Sequence, residues 1–207
     1  MPTPDPDLLV LHVLRLKGFA DTGAVVSSTG LDVADVATRL EKAQADGFAT
    51  HREGRITGWS LTSAGRAAHK ELVEDEIARA DGAREAIATT YQSFLDINGA
   101  LLAVCTDWQL RNGALNDHAD AAYDDAVVAR LGEVDAAVQP LCADASHALA
   151  RFSRYGPRLA SALDKVRHGD TEWFAKPVLD SYHSVWFELH EDLLVTLGLE
   201  RSKEGGS

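Results

Sequence analysis

At 207 residues and 22.3 kDa, the chain is long enough for one large core or two small ones, and with 45% apolar and 25% charged residues it has the composition of a globular protein. Its formal net charge of -12 excludes most of its surface from contact with polyanions. Two cysteines are too few for a disulfide scaffold, no apolar run reaches membrane-spanning length, and Met1–Asp5 lacks a signal-peptide pattern, so a cytoplasmic location with no membrane partner is expected.

Asp7 to Lys17 is apolar at helical spacing, with Leu9, Val13 and Leu16 on one side and Gly18 as its stop. A short second helix fits Thr22 to Ser28, and Gly30 is free to take positive φ after it. Asp32 is placed to cap a third helix whose buried stripe is Val33, Val36, Ala37, Leu40 and Ala43, ending at Asp46-Gly47. From Phe48 the period changes to two, through "FATHREGRITGWSL", with Glu53-Gly54 at the centre as in a tight hairpin. Thr62 or Ser63 then caps a fourth helix.

Charge is uneven along the chain. Residues 1–72 carry 8 Lys/Arg against 9 Asp/Glu, and the remaining residues 12 against 23. Phe48 to Lys70 holds Arg52, Arg55, Arg66 and Lys70 with Glu53 as its one acid. Any contact with nucleic acid must therefore come from the first third.

Three helices, a two-stranded hairpin and an exit helix predict an N-terminal winged helix-turn-helix over 1–72. The Gly30-Leu31 turn, the helix closing in Ala45-Asp46-Gly47-Phe48, and Trp59-Ser60-Leu61-Thr62-x-x-Gly65-Arg66 carry a resemblance to MarR-like winged-helix transcriptional regulators, over about a third of the chain. The resemblance implies double-stranded DNA as partner, the third helix in the major groove and the wing along the backbone. The expected contacts are Thr38, Arg39 and Lys42 on the helix, and His51, Arg52 and Arg55 on the wing. Asp32 and Asp35 sit where that helix would approach phosphates, and they favour the alternative of a protein–protein adaptor.

Residues 73–198 read as helix only, an all-α bundle expected to dimerise the chain and to hold any effector, with 199–207 as a flexible tail. The fold class is thus mostly α. Pro140 should kink or split the helix running from Asp120 to Phe152, and Gly156-Pro157 should break the chain again. "RFSRYGPR" is a basic island in this acidic half. It could pair a small anionic effector with Arg154 and Arg158, bounded by Tyr155 and Trp186, or simply complement a helix terminus. Asn98 on an apolar stripe reads as an inter-helix hydrogen bond. Asp180, His183 and His190 could share one helix face, but no ligand-dense metal motif accompanies them, and no cofactor-binding loop or nucleophile motif is present. No metal, no cofactor and no enzyme activity are expected. Both cysteines lie on apolar stripes and read as inert core thiols.

Overall fold

A computed structural model describes residues 4–199; the expected tail lies, from residue 200 on, outside the described residues. The chain is mostly helical, with a small antiparallel sheet near its N-terminus. No helix among the described residues is long and apolar enough to cross a membrane.

Local signals account for the first helices. In α1 (Pro6–Lys17) the Asp5 carboxylate accepts from the Asp7 amide, Pro6 opens the first turn, and Gly18 closes the helix at φ 72°. Asp21 caps α2 (Thr22–Thr29) through the Ala24 amide, and Asp32 caps α3 (Val33–Ala45) through that of Ala34. Strands β1 (Ala49–Arg52) and β2 (Gly58–Leu61) pair with His51 opposite Trp59 and Arg52 opposite Gly58.

The loop between these strands is therefore five residues, Glu53 to Thr57, wider than the expected tight turn. A two-residue turn at Glu53-Gly54 would set Arg52 directly opposite Arg55, a like-charge pairing that the wider loop avoids. Beyond β2, Thr62 caps α4 (Ser63–Ala78) through the Gly65 amide, 3.0 Å, and its hydroxyl donates to the Gly47 carbonyl, 2.7 Å. A side chain at Gly65 would collide with the Phe48 carbonyl. The Leu-Thr-x-x-Gly turn is thus a cap followed by a close approach.

Helix α4 runs unbroken through residue 72 and carries the chain into the second half. There α5 (Ala83–Gln109) and α6 (Ala121–Ala148) form a long pair; α7 (Tyr155–Arg167), the short α8 (Glu172–Ala175) and α9 (Tyr182–Leu197) pack on them. Pro140 does not split α6. It lies on the exposed side, where water can satisfy the carbonyl that its missing N–H leaves free. Nor is this half all helix. Leu110–Arg111 (β3) and Ala114–Leu115 (β4) pair across Asn112 and Gly113, at φ 53° and 81°. Asn-Gly with both φ positive is the strongest short hairpin signal, and it stood in the sequence unread.

Two apolar clusters form. One gathers Val10, Leu14, Val25, Val36, Leu40 and Trp59; the other, much larger, gathers the second-half helices together with Leu8 and Val73. Leu72 packs against both. Helix α1 is shared as well, since Leu8 faces the larger cluster while Val10 and Leu14 face the smaller.

Candidate functional site

Two places in the molecule concentrate chemistry. The first is the exposed side of α3 with the β1–β2 hairpin. Arg52 and Arg55 are exposed and have no carboxylate partner among the described residues, and the same holds for Arg66 and Lys70, one turn apart on α4. His51 is half-buried, its ring stacked on Trp59 at 4.3 Å. Thr38 is exposed, its hydroxyl donating back to the Ala34 carbonyl at 2.9 Å.

Lys42 is exposed, as expected, whereas Arg39 is half-buried, and both meet carboxylates. Arg39 bridges Asp35 on its own helix, 2.9 Å, and Asp7 of α1; Lys42 lies 3.1 Å from Asp46 and 3.5 Å from the other oxygen of Asp7. The helical phase that buries Val36 and Leu40 turns position 39 to the flank facing α1, while position 42 stays on the outward side and only its long side chain reaches Asp7. The exposed side carries Ala34, Thr38, Glu41, Lys42 and Ala45, one acid and one cation, whereas Val33, expected in the buried stripe, is 61% exposed.

The second place is the junction of α1 and α4 with α9. Arg151, in a 3-10 segment (Ala150–Arg154), is 6% exposed. Its guanidinium holds Glu76 of α4 at 2.6 Å, Asp192 of α9, and the Thr196 hydroxyl. Asp192 also takes the Tyr155 hydroxyl, 2.9 Å, and stands 3.0 Å from His12 Nε2. The other nitrogen of His12 shares a hydrogen bond of 2.9 Å with His69. Burial alone would raise the Asp192 pKa, but Arg151 and His12 outweigh it and hold the carboxyl well below the usual range. Burial, then His12 and Arg151, push His69 down to about 3, so it is neutral. Every member of this buried set is hydrogen-bonded, the condition under which charges survive burial.

Beside it runs a shallower chain of ion pairs. Arg158 holds Asp180 at 3.1 Å and Glu188 at 2.8 Å; Lys17 of α1 also reaches Glu188, and Ser27 of α2 donates to Asp180 at 3.2 Å. Burial disfavours the Arg158 charge, yet Glu188 and Asp180 more than compensate and raise its pKa.

The four residues expected around an effector separate accordingly. Tyr155 is buried and donates to Asp192, and Arg158 is committed to two carboxylates. Arg154 alone among the three arginines of the island faces no carboxylate; its Nη2 donates to the Ser27 carbonyl at 3.0 Å. Trp186 is on the other side of α9, its ring tilted against Phe94 at 4.8 Å and its indole N–H donating to Asn98 at 2.9 Å, so it does not join the set. Residues 186 and 188 are about 200° apart around a helix, which explains the separation. The same bond supplies the inter-helix partner expected of Asn98.

Of the histidine face of α9, His190 is buried against Phe94, and Asp180 belongs to Arg158. No group of three or more His, Cys, Asp or Glu placed to hold a metal occurs among the described residues. Cys105 and Cys142 are buried, their thiols pushed up to about 11 and about 12 by burial. Sequence reading missed His12, His69, Glu76 and Asp192. The available signal was a lone histidine inside the apolar run "DLLVLHVL". Comparison with protein-family models, with curated proteins and with solved structures finds no match for this chain.

Proposed function

We propose that this chain is a DNA-binding transcriptional regulator, in which α1–α4 with the β1–β2 hairpin act as a winged helix-turn-helix of MarR-like type. The observation that carries the reading is the set of four cations without carboxylate partners between Arg52 and Lys70, in a chain of net charge -12. Free cations on an otherwise acidic protein are positioned for phosphates and steer one face toward a polyanion. In this reading Arg52 and Arg55 follow the backbone while Thr38 and Glu41 reach base edges, Glu41 accepting from a cytosine amino group. Two half-sites read by a symmetric pair call for a homodimer, and exposed Leu95, Leu102 and Phe187 on α5 and α9 offer apolar surface for it.

A protein–protein adaptor is the second reading. The acids at the start and on the outer side of α3, Asp32, Asp35 and Glu41, favour it, since they would face phosphates in a groove. Duplex binding over a salt series separates the two. Arg52→Ala/Arg55→Ala should weaken binding to all duplexes about equally and reduce the salt slope by roughly two. A wild-type chain that binds no duplex at low salt leaves the adaptor.

A further inference from the structure

Between α1, α2 and the Ala150–Arg158 stretch lies a cavity of about 290 Å³. One wall is apolar, made by Leu9, Val13 and Leu16 of α1. The opposite wall is charged: Arg151, Arg154 and Arg158 face Glu188 and Asp192. The ion pairing shows which of these cations is unmatched. Arg151 is matched by Asp192 and Glu76, and Arg158 by Asp180 and Glu188; Arg154 has only a backbone carbonyl. Ser28 stands in the same lining, and its Oγ is the one buried side-chain polar atom without a hydrogen-bond partner among the described residues. A buried hydroxyl without a partner is costly, and an incoming acceptor relieves that cost.

A second groove, of about 480 Å³, shares Ser153, Arg154 and Arg158 with it. Arg154 therefore stands at the threshold of the two. It also touches the segment proposed to meet DNA. Besides its bond to Ser27, its guanidinium lies directly against Gly30, which ends α2 at φ 71° in the turn leading to α3.

We propose that this cavity binds a small organic anion, its acid group on Arg154 and its apolar body along Leu9, Val13 and Leu16, and that binding draws Arg154 off the α2–α3 turn. A charge-assisted bond from guanidinium to oxyanion is stronger than one to a neutral carbonyl, so the ligand outcompetes Ser27. The consequence for DNA rests on the regulator reading, whereas the binding itself does not.

The test uses the full chain with hexanoate as probe, hexylamine as the same body with opposite charge, and inorganic phosphate as the oxyanion without a body. Calorimetry should give saturable hexanoate binding with a dissociation constant on the order of 1 mM, the scale of a few buried methylenes plus one ion pair. Arg154→Gln should weaken it about tenfold, and Arg154→Lys should restore part of the loss. Arg154 is exposed, so melting of the unliganded variants checks that the fold is intact. Amide exchange at Gly30 should quicken when hexanoate is bound.

Hexanoate binding equally well to Arg154→Gln overturns the site, as does hexylamine binding as tightly as hexanoate. No saturable hexanoate binding overturns it too. Phosphate matching hexanoate would overturn the apolar wall's role. Unchanged exchange at Gly30 in the bound state overturns the link to the turn. Failure of the wild type to bind DNA would instead sink the regulator reading, with the hexanoate results standing.

Discussion

At the β1–β2 hairpin, two arginines stand in solvent with no carboxylate partner among the described residues, whereas Arg151 at the α1–α9 junction is 6% exposed and holds two carboxylates. The difference follows from the surroundings of each charge. A guanidinium in water keeps its hydration and is free to exchange it for a phosphate. A guanidinium removed from water loses several kcal/mol of hydration, on the order of what good pairing returns, and so is found only where its partners are fixed. The first arrangement is a surface available to others. The second is a fastening between α1, α4 and α9, and each end of it depends on the other.

Breaking the fastening should therefore have the largest effect. Arg151→Ala leaves the buried Asp192 without its guanidinium and Glu76 without a cation, and should destabilise the chain by about 3–5 kcal/mol. Arg52→Ala/Arg55→Ala should stay within about 0.5 kcal/mol of the wild type. Urea unfolding of both variants checks the contrast. An Arg151→Ala chain as stable as the wild type would mean that water enters the junction freely.

Acid should loosen the same junction before it touches the hairpin. His69 has its folded pKa pushed down to about 3, by burial first, while its unfolded value is about 6.5. The folded state thus binds fewer protons than the unfolded one between these values. The contribution is fully present above about pH 6.5 and is lost as pH falls toward 3, at up to about 1.4 kcal/mol per unit. His183, also lowered by burial, adds a change of the same sign. Asp192 and Asp180 are lowered carboxylates and cost stability only below about 3.8. Unfolding between pH 7.5 and 5 therefore isolates the histidines. His69→Gln should flatten the slope more than His183→Gln does, and equal slopes in His69→Gln and wild type would remove His69 from the account.

How much of this was legible in the sequence differs between the two regions for the same physical reason. Caps and turns are local, so Asp32, Thr62, Gly18 and Gly30 could be read directly, and the alternating run located the hairpin. Its loop length was not, because the pairing of Arg52 with Gly58 depends on Trp59 reaching the bridge to Ala20. Asn112-Gly113 was readable and overlooked. The junction had no local signature at all. Arg151 and Asp192 are 41 residues apart in sequence, and each looks like an ordinary surface charge until α6, α7 and α9 are folded. The basic island was visible as a cluster, but which of its arginines is matched and which is not is a tertiary fact. Arg39 marks the same boundary of inference: periodicity shows which residues of α3 are buried, not which neighbour its flank meets.

The smallest effect bears on that flank and on the comparison itself. Asp7 of α1 sits against both Arg39 and Lys42, two of the cations expected to meet DNA. It behaves as an internal competitor for those cations, partly exposed and therefore weak. Asp7→Asn keeps the shape and a hydrogen-bonding oxygen but removes the charge, which leaves Arg39 with Asp35 alone and Lys42 with Asp46 alone and makes both easier to draw to a phosphate. Under the regulator reading, duplex affinity at low salt should rise by up to about fivefold, the scale of a surface ion pair, and the salt slope should steepen by one to two contacts or so. Arg39→Ala in the Asp7→Asn background should then undo most of the gain. The hairpin alone would carry the DNA contact if Asp7→Asn changed neither affinity nor slope. In that case α3, with Glu41 at the centre of its exposed stripe, would be a surface for another protein, and the two regions would differ in partner as well as in the way they hold charge.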